Sequence, residues 1–218
     1  MEPSVSSIDP YQTLLIFLTD MTKPYAESCA QNQAPILEVL CEEFANATRV
    51  LEIGSGTGQH AVYFGARLPQ LSWQTSDVAA HHAGIHAWLD EAALDNVLPP
   101  VELDVRRESH WPDARYDAVF SANAVHIMGW DAVVAMFGGL GRVMEDGARL
   151  ALYGPFNYGG QYTSESNARF DLWLKERDPA SGIRNFEDLD NLAREQGLRL
   201  HKDHAMPANN RTLVWIRE

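Results

Sequence analysis

Short apolar runs alternate along this chain with longer segments in which apolar residues recur every three or four positions. The short runs are typical of strands covered on both faces, and the spaced positions are typical of helices with one apolar face. Such an alternation predicts βα units with right-handed crossovers and a parallel sheet between helical layers. The predicted strands are 50–53, 71–76, 99–105, 116–122, 149–153, 198–205 and 212–216.

Helical periodicity accounts for most of the chain between these strands. In the first helix Pro35 suits the opening turn, and an apolar face follows from Ile36 to Phe44. The polar segment before this helix is well placed to fold over the ligand end of the first strand. The other helices are predicted at 59–68, 85–94, 130–143, 163–177 and 186–196.

The order of these elements predicts the fold class and the domain organisation. Five βα units followed by a closing hairpin indicate an α/β, doubly wound sheet in one domain, and 218 residues suit one substantial core. We expect residues 1–22 to be an N-terminal extension, in which 11–17 fits a short helix or an added strand, and residues 23–218 to be the single domain.

The stretch from Val50 to Gln59 carries the clearest functional pattern. Gly54, Gly56 and Gly58 follow the first strand at alternate positions and lead into a helix. Glycine permits positive φ and lets the backbone approach a ligand closely, while the free N–H groups of the next helix face the turn. A dinucleotide fingerprint, G-x-G-x-x-G, would need glycine at Gln59, so the spacing disfavours that ligand class.

Carboxylates follow the first three strands. Glu52 lies two residues before the first glycine, and Asp77 ends the second strand, roughly 20 residues beyond Gly58, where an acid commonly binds a ribose. The alternative for Asp77 is a helix N-cap, a position that favours Asp. Asp104 ends the third predicted strand, and the alternative for it is a surface turn beside Arg106.

Polar residues also mark the carboxyl ends of the fourth and fifth strands. Asn123 and His126 follow the fourth strand at the edge where open α/β sheets bind ligands. His126 is a candidate general base, or a residue that orients its loop. His60 is the second candidate, although packing or a backbone contact suits its place in a first helical turn. Tyr153 suits a cavity wall or the core.

Composition and charge exclude several classes of function. The formal charge is −13, the pI is about 4.9, and the pair Arg106-Arg107 lies among acids, so we expect no nucleic-acid partner and a small-molecule substrate instead. Cys29 and Cys41 provide neither a disulfide framework nor metal-ligand spacing, which predicts no metal and a cytoplasmic location. The run 14–18 is too short for a membrane segment or a signal peptide.

The E-x-G-x-G-x-G pattern from Glu52 to Gly58 resembles the first motif of class I S-adenosylmethionine-dependent methyltransferases. The resemblance implies a Rossmann-like seven-stranded sheet of order 3-2-1-4-5-7-6, with strand 7 antiparallel and helices on both faces. From about Lys23 onward the chain also resembles the poorly characterised methyltransferase-like 26 family. The stretches that carry this second resemblance are 25–40, 51–60, 121–127, 153–156 and 209–211.

The residue patterns and the resemblance together assign a role to each candidate residue. Glu52 would hold the methionine ammonium, Asp77 the ribose and Asp104 the adenine; Asn32 stands where the family has a more basic segment. The predicted cofactor-binding residues are Asn32, Glu52, Gly54, Ser55, Gly56, Gly58, Asp77, Asp104, Val105 and Asn123; the predicted catalytic residue is His126; and the predicted substrate-binding residues are Tyr25, His60, Tyr153, Tyr158 and Arg211.

These assignments predict an S-adenosylmethionine-dependent methyltransferase with an unidentified small-molecule acceptor, with no membrane partner. Methyl transfer from a sulfonium depends mainly on alignment of the two partners, which can supply about 7–11 kcal/mol of a barrier. Two other classes stay open. One is a dinucleotide (NAD or FAD) oxidoreductase, and the other is a non-catalytic module that binds S-adenosylmethionine and regulates a partner.

Overall fold

The structure is a computed structural model that describes residues 23–218, so the predicted extension 1–22, including 11–17, lies outside the described residues. The helices are α1 (Glu27–Glu43), α2 (Gln59–Gly65), α3 (Ala79–Ala92), α4 (Trp130–Val143), α5 (Glu165–Arg177) and α6 (Phe186–Glu195). The strands are β1 (Arg49–Ile53), β2 (Ser72–Asp77), β3 (Val97–Glu102), β4 (Tyr116–Ala122), β5 (Met144–Gly154), β6 (Phe156–Asn157), β7 (Arg184–Asn185), β8 (Leu198–Ala205) and β9 (Arg211–Arg217). Two short 3-10 turns lie at Glu108–His110 and Pro207–Asn209.

Seven of these strands form the central sheet, in the order β3-β2-β1-β4-β5-β9-β8. The first five are parallel, and β9 is antiparallel to both β5 and β8. Counted along the chain without β6 and β7, the order is 3-2-1-4-5-7-6. The predicted α/β class and strand order are therefore confirmed, and the two labels differ because β6 and β7 form a small separate sheet.

Helices cover both faces of this sheet, as a doubly wound fold requires. On one face α4 and α6 pack over Trp215, whose ring meets that of Phe137 edge-on at 6.3 Å. On the other face α1 and α2 pack over Trp73, and the ring of Phe64 lies 5.5 Å from it. Both tryptophans are fully buried. Parallel strands covered in this way explain the nearly continuous apolar runs in the sequence.

Several element boundaries differ from the predicted ones for local reasons. α1 begins at Glu27, so Pro35 lies inside the helix and not in its opening turn. The apolar pattern begins late because the residues of the preceding turns face a cavity and not the core. The third strand ends at Glu102, before Asp104, because the carboxylate of Asp104 accepts the Arg106 backbone N–H and turns the chain.

A segment outside the sheet joins β5 to α6. It contains β6, α5 and β7, and the two short strands pair in parallel with each other. The buried carboxylate of Asp171 connects α5 to the parts of the segment on either side of it. It accepts hydrogen bonds from the Ile183 backbone N–H at 2.6 Å and from the Tyr162 hydroxyl at 2.7 Å. The segment therefore lies at the carboxyl end of β5, next to the ligand edge of the sheet.

None of the helices between residues 23 and 218 is both long enough and apolar enough to cross a membrane.

Candidate active site

The turn after β1, residues 54–58 (the glycine turn), depends on glycine at each of its three glycine positions. The φ angles are 76° at Gly54, 58° at Gly56 and 89° at Gly58, a region that disfavours side chains with a Cβ. A Cβ at Gly58 would also lie 3.1 Å from the Cα of Ile85 in α3. A Cβ at Gly56 would meet nothing within 4 Å, so the backbone there borders open space.

Glu52 lies directly beneath the glycine turn and is 1% exposed. The Ser55 hydroxyl and the Trp73 indole N–H donate to its carboxylate at 2.7 and 3.1 Å, and both bonds end on Oε2. Burial, with a smaller contribution from the nearby charge of Asp77, raises the pKa of Glu52 to about 7 against the opposing effect of the two donors. The second oxygen, Oε1, receives no hydrogen bond from the described part of the chain and can accept one from a cationic ligand.

Asp77, at the end of β2, closes the glycine turn from the other side. Its Oδ2 accepts the Gly56 backbone N–H at 2.8 Å, and its Oδ1 accepts the Val78 N–H at 2.7 Å and contacts Nδ1 of His81 at 2.8 Å. No side chain caps α3, which begins at Ala79. Asp77 is therefore not an N-cap residue, and it instead fixes the conformation of the glycine turn.

Asp104 follows β3 and completes a series of three carboxylates with Glu52 and Asp77, which we call the acid row. Arg106 donates to both oxygens of Asp104 at 3.0 Å. This bonding lowers the pKa of the Asp104 carboxyl below its usual range. The side chain of Val105 packs in the core, and its carbonyl accepts the Trp111 indole N–H at 3.0 Å.

A cavity of about 920 Å³ opens at the carboxyl ends of β4 and β5. Four of the predicted site residues line it: Asn32, Asn123, His126 and Tyr153. No residue of the glycine turn or of the acid row does so, but a Cβ at Gly54 would lie 3.4 Å from Ala124, the neighbour of Asn123. The remaining wall comes from α5 and from the turn between β8 and β9. The lining residues that matter below are Gln31, Asn32, Asn123, His126, Ile127, Tyr153, Asn167, Phe170, Trp173, Arg177, Asp178, Asn209 and Asn210.

His126 lies at the inner end of this cavity and is 3% exposed. Its Nδ1 has no hydrogen-bond partner within residues 23–218, which is unusual for a buried nitrogen. A Cβ at Gly154 would lie only 3.4 Å from that atom, so the glycine leaves room for the ring. Burial, with a smaller effect of the Arg184 charge, lowers the pKa of His126 to about 4, so the imidazole is neutral at pH 7.

Asn32 joins the cavity to the helix that follows the glycine turn. Its Oδ1 lies 2.7 Å from Nε2 of His60, and the His60 ring stacks on Phe64 with centroids 5.3 Å apart. Burial lowers the pKa of His60 to about 4. His60 is therefore held by packing and by one polar contact, and it does not line the cavity itself.

Asn123 and Tyr153 lie where β4 and β5 end. Asn123 has a φ of 55°, a conformation that Asn adopts more readily than most residues, and its backbone N–H donates to the Tyr153 carbonyl at 2.9 Å. Burial raises the pKa of the Tyr153 phenol, while the amides of Asn32 and Asn210 have the opposite, smaller effect. Both residues line the cavity.

Besides His60, three further predicted substrate-binding residues lie outside the cavity lining. Tyr25 precedes α1 and is 62% exposed. Tyr158 donates its hydroxyl to Asp203 at 2.8 Å, and Arg211 donates its Nε to the same carboxylate at 2.7 Å. Burial and the Asp203 carboxylate raise the pKa of Tyr158. Asp203, in β8, thus engages two residues that the sequence had suggested for the substrate.

Family comparison identifies the group to which the chain belongs. The model of a family described as "Protein of unknown function (DUF938)" matches residues 23–217. The chain belongs to the DUF938 family. The closer resemblance to the methyltransferase-like 26 family remains a prediction.

Solved structures show the fold that this DUF938 protein shares with others. An O-methyltransferase family protein from Burkholderia thailandensis superposes with a TM-score of 0.76 at 17% identity, covering 85% of this chain and 56% of that one. The mitomycin 7-O-methyltransferase MmcR gives a TM-score of 0.74 at 17% identity, covering 85% and 54%. CalO1, a methyltransferase in calicheamicin biosynthesis, solved in an SAH-bound form, gives 0.67 at 20%, covering 85% and 54%. The chain spans a little over half the length of these proteins.

The DUF938 protein also has cavity residues that the sequence did not single out as functional. Phe170 and Trp173 had the apolar spacing of a core helix, but both line the cavity, and Trp173 is 46% exposed. Asn167 and Asn209 line it as well and bond to each other through the Asn167 amide and the Asn209 carbonyl at 3.1 Å. The only signal in the sequence was the position of α5 after a strand end, which does not reveal which face of the helix is covered.

Proposed function

We propose that this protein is an S-adenosylmethionine-dependent methyltransferase that acts on a small-molecule acceptor. The proposal rests on two features at the same edge of the sheet: a glycine turn with buried acids, and a cavity after β4 and β5 that is lined by His126. The neighbours with the same fold include O-methyltransferases, and also a methyltransferase that was solved in an SAH-bound form. An oxygen acceptor is therefore the first to test.

The residues of the glycine turn fit the proposed cofactor. The backbone at Gly56 borders open space, as a site of close approach requires. Below it Glu52 keeps one carboxylate oxygen without a donor from residues 23–218, and an ammonium group is a suitable donor for that oxygen. Asp77 holds the turn in shape and presents its carboxylate at the strand end where nucleotide-binding folds meet a ribose.

In this proposal each predicted cofactor residue contacts one part of S-adenosylmethionine. Glu52 and Asn32 would bind the methionine end, with Ser55 orienting the Glu52 carboxylate. The backbone of the glycine turn and Asp77 would bind the middle of the molecule. Asp104 and the backbone at Val105 would bind the adenine, and to do so Asp104 must share its oxygens with Arg106 or release that residue.

When bound, S-adenosylmethionine supplies a methyl group already activated by the positive sulfur. His126 would accept the proton of the acceptor hydroxyl at Nε2, the ring nitrogen that is not enclosed, and the neutral ring can do so at pH 7. Asn123 would orient the acceptor or the methionine end from the same strand edge.

Titration calorimetry tests the proposal with four ligands. S-adenosylmethionine and S-adenosylhomocysteine should bind the full chain, whereas NADH and FAD should not. Binding of NADH or FAD alone would favour the oxidoreductase class and contradict the proposal. If only the S-adenosyl compounds bind, formation of S-adenosylhomocysteine with a panel of phenolic acceptors then separates an enzyme from a regulatory module.

A matched pair of variants makes the calorimetry specific to the glycine turn. Asp77→Ala should weaken binding of S-adenosylhomocysteine. Asp117→Ala is the control, because its carboxylate also accepts two backbone N–H groups, those of Thr48 and Arg49 at 2.8 Å, but at the start of β4. Equal losses in both variants would indicate a general loss of stability and would count against a cofactor site at the turn.

A further inference from the structure

Three aromatic rings form one wall of the cavity, and we call this set the ring ladder: His126, Phe170 and Trp173. The ring of His126 meets that of Phe170 at 72° with centroids 5.5 Å apart. Phe170 and Trp173 stack at 5.7 Å with an angle of 19° between their planes. The guanidinium of Arg177 lies 4.6 Å from the Trp173 ring centroid. The ladder thus leads from a partly exposed ring to the buried ring of His126.

The rest of the cavity lining is polar but almost uncharged. Among the described lining residues Arg177 and Asp178 are the two with a formal charge, and both are exposed. A buried carboxylate or phosphate would therefore lack an enclosed counter-charge, which is costly. Carboxamides donate and accept hydrogen bonds and suit hydroxyl and carbonyl groups. The lining carboxamides are Gln31, Asn32, Asn123, Asn167, Asn209 and Asn210.

Residues 23–218 also leave apolar surface at the mouth of the cavity partly exposed. Ile127 is 57% exposed and Trp173 is 46% exposed, although both line the cavity. A ligand that enters would remove this surface from water, which is favourable in proportion to the apolar area covered. A flat ring covers Trp173 and Phe170 best, because aromatic rings prefer offset-stacked or edge-to-face contacts.

We infer that the cavity takes an uncharged aromatic compound with a hydroxyl group, whose ring packs against Phe170 and Trp173 and whose hydroxyl reaches Nε2 of His126, the ring nitrogen that is not enclosed. Phe170 and Trp173 then determine which acceptors are used. The role of this compound as methyl acceptor rests on the proposed function, but its binding does not. Aromatic pairing contributes roughly two- to tenfold in affinity beyond the burial of apolar area.

Three probes of similar size test the inference by calorimetry on the full chain. They are 2-naphthol, its carboxylate counterpart 2-naphthoate, and the saturated alcohol decahydro-2-naphthol. We expect 2-naphthol to bind about two- to tenfold more tightly than the saturated alcohol, because only the aromatic ring can stack. We expect it to bind at least about tenfold more tightly than 2-naphthoate, because the carboxylate would enter a site without a buried cation.

Variants on α5 identify the residues responsible. Phe170→Leu and Trp173→Leu keep an apolar side chain but remove the ring, and each should abolish the preference for 2-naphthol over the saturated alcohol. Leu172→Ala is the matched control, since Leu172 is 62% exposed on the same helix and does not line the cavity. Thermal unfolding checks that each variant is folded. If Phe170→Leu does not fold, Trp173→Leu alone tests the inference, because Trp173 is partly exposed and its replacement disturbs the core less.

Each outcome decides between the claims. The inference is overturned if 2-naphthol does not bind detectably, or if 2-naphthoate or the saturated alcohol binds as tightly or more tightly. It is also overturned if Trp173→Leu and Leu172→Ala have the same affinities for the probes. A parallel titration with S-adenosylhomocysteine separates this failure from that of the proposed function. If S-adenosylhomocysteine binds and 2-naphthol does not, only the present inference fails. If 2-naphthol binds and S-adenosylhomocysteine does not, only the methyltransferase proposal fails.

Discussion

The acid row and the ring ladder lie at the same edge of the sheet but differ in how their groups are paired. Glu52, Asp77 and Asp104 each accept hydrogen bonds from neighbouring protein groups. In the ring ladder, Nδ1 of His126 has no partner among the described residues, and Trp173 is partly exposed. Groups that are already paired hold their geometry without a ligand, whereas unpaired groups gain most when one arrives.

This difference suggests that the two ends of the site select their ligands in different ways. The acid row and the glycine turn form a preformed surface that suits one fixed molecule. The ring ladder, with its surrounding carboxamides, offers stacking and adaptable hydrogen bonds. The largest expected effects of substitution therefore lie at the unpaired histidine, and the smallest lie at the exposed end of the acid row.

The sharpest test of the comparison is His126→Asn. Loss of a positioned proton acceptor should lower the rate of methyl transfer to a phenolic acceptor by about 10²–10⁴-fold, while the affinity for S-adenosylhomocysteine should hardly change. Initial rates and calorimetry on the same preparation measure the two effects. An equal loss of cofactor affinity would mean that His126 belongs with the acid row.

His60→Asn is the matched control for that variant. His60 is also a buried histidine whose pKa is lowered to about 4, but its Nε2 already contacts Asn32. We expect a loss of stability and a change in rate below tenfold. If the rate falls more in His60→Asn than in His126→Asn, His60 and not His126 is the proton acceptor.

The next largest effect is expected for Asp77→Ala. The variant leaves the N–H groups of Gly56 and Val78 without their acceptor, which should lower the free energy of unfolding by about 1–3 kcal/mol. The affinity for S-adenosylhomocysteine should fall at least about tenfold, because the turn loses its shape and the ribose loses a carboxylate. Asp117→Ala should lose similar stability in denaturant titrations without the loss of affinity.

Glu52→Gln should change the pH dependence of stability. The pKa of Glu52 is raised to about 7 in the folded protein, so the native state keeps a proton that the unfolded chain releases near pH 4.5. That contribution to stability is fully present below pH 4.5 and is lost as the pH rises through 7. Relative to wild type, the variant should therefore become more stable between pH 5 and 8, by up to about 3 kcal/mol.

Two further measurements keep the Glu52 prediction specific. An ammonium ligand favours the ionised carboxylate, so cofactor affinity in the wild type should increase as the pH rises through 7 and should lose this dependence in Glu52→Gln. Glu43→Gln is the control, since Glu43 is equally buried but forms an ion pair with Arg149 at 2.7 Å. Replacement of Glu43 by Gln should lower the free energy of unfolding both at pH 5 and at pH 8.

The smallest effect is expected for Arg106→Ala. This change removes the guanidinium from both oxygens of Asp104, although the backbone N–H of residue 106 still donates to Oδ1 and Arg107 lies 3.8 Å from Oδ2. The affinity for S-adenosylhomocysteine should therefore increase by about two- to fivefold, as for an exposed ion pair. Asp104→Ala should reduce the affinity. If Arg106→Ala also weakens binding, the ion pair itself shapes the site, and Asp104 acts through its turn and not as a ligand group.

Much of the framework could be predicted because it depends on local patterns. The apolar runs located each strand of the main sheet, and the glycines at positions 54, 56 and 58 all have the positive φ that their spacing indicated. β6 and β7 could not be found, because two residues carry no periodicity. The start of α1 was also missed, since its first turns face a cavity and not the core.

The distribution of residues around the site was harder to predict because it depends on contacts between distant elements. The sequence could not show that Asp203, in β8, would engage both Tyr158 and Arg211. Nor could it show that Phe170 and Trp173 would line a cavity, since the spacing of apolar residues on a helix is the same whether they cover a core or a ligand. Burial and orientation decide those roles.

The small β6–β7 sheet has a consequence for how this protein could change over evolutionary time. It closes a segment, residues 156–185, that contributes most of one cavity wall but no strand to the main sheet. Substitutions on the cavity side of α5 can therefore alter which acceptors fit without changing the strand order or the glycine turn. A family that retains its cofactor end could diversify its acceptors by changing this one segment.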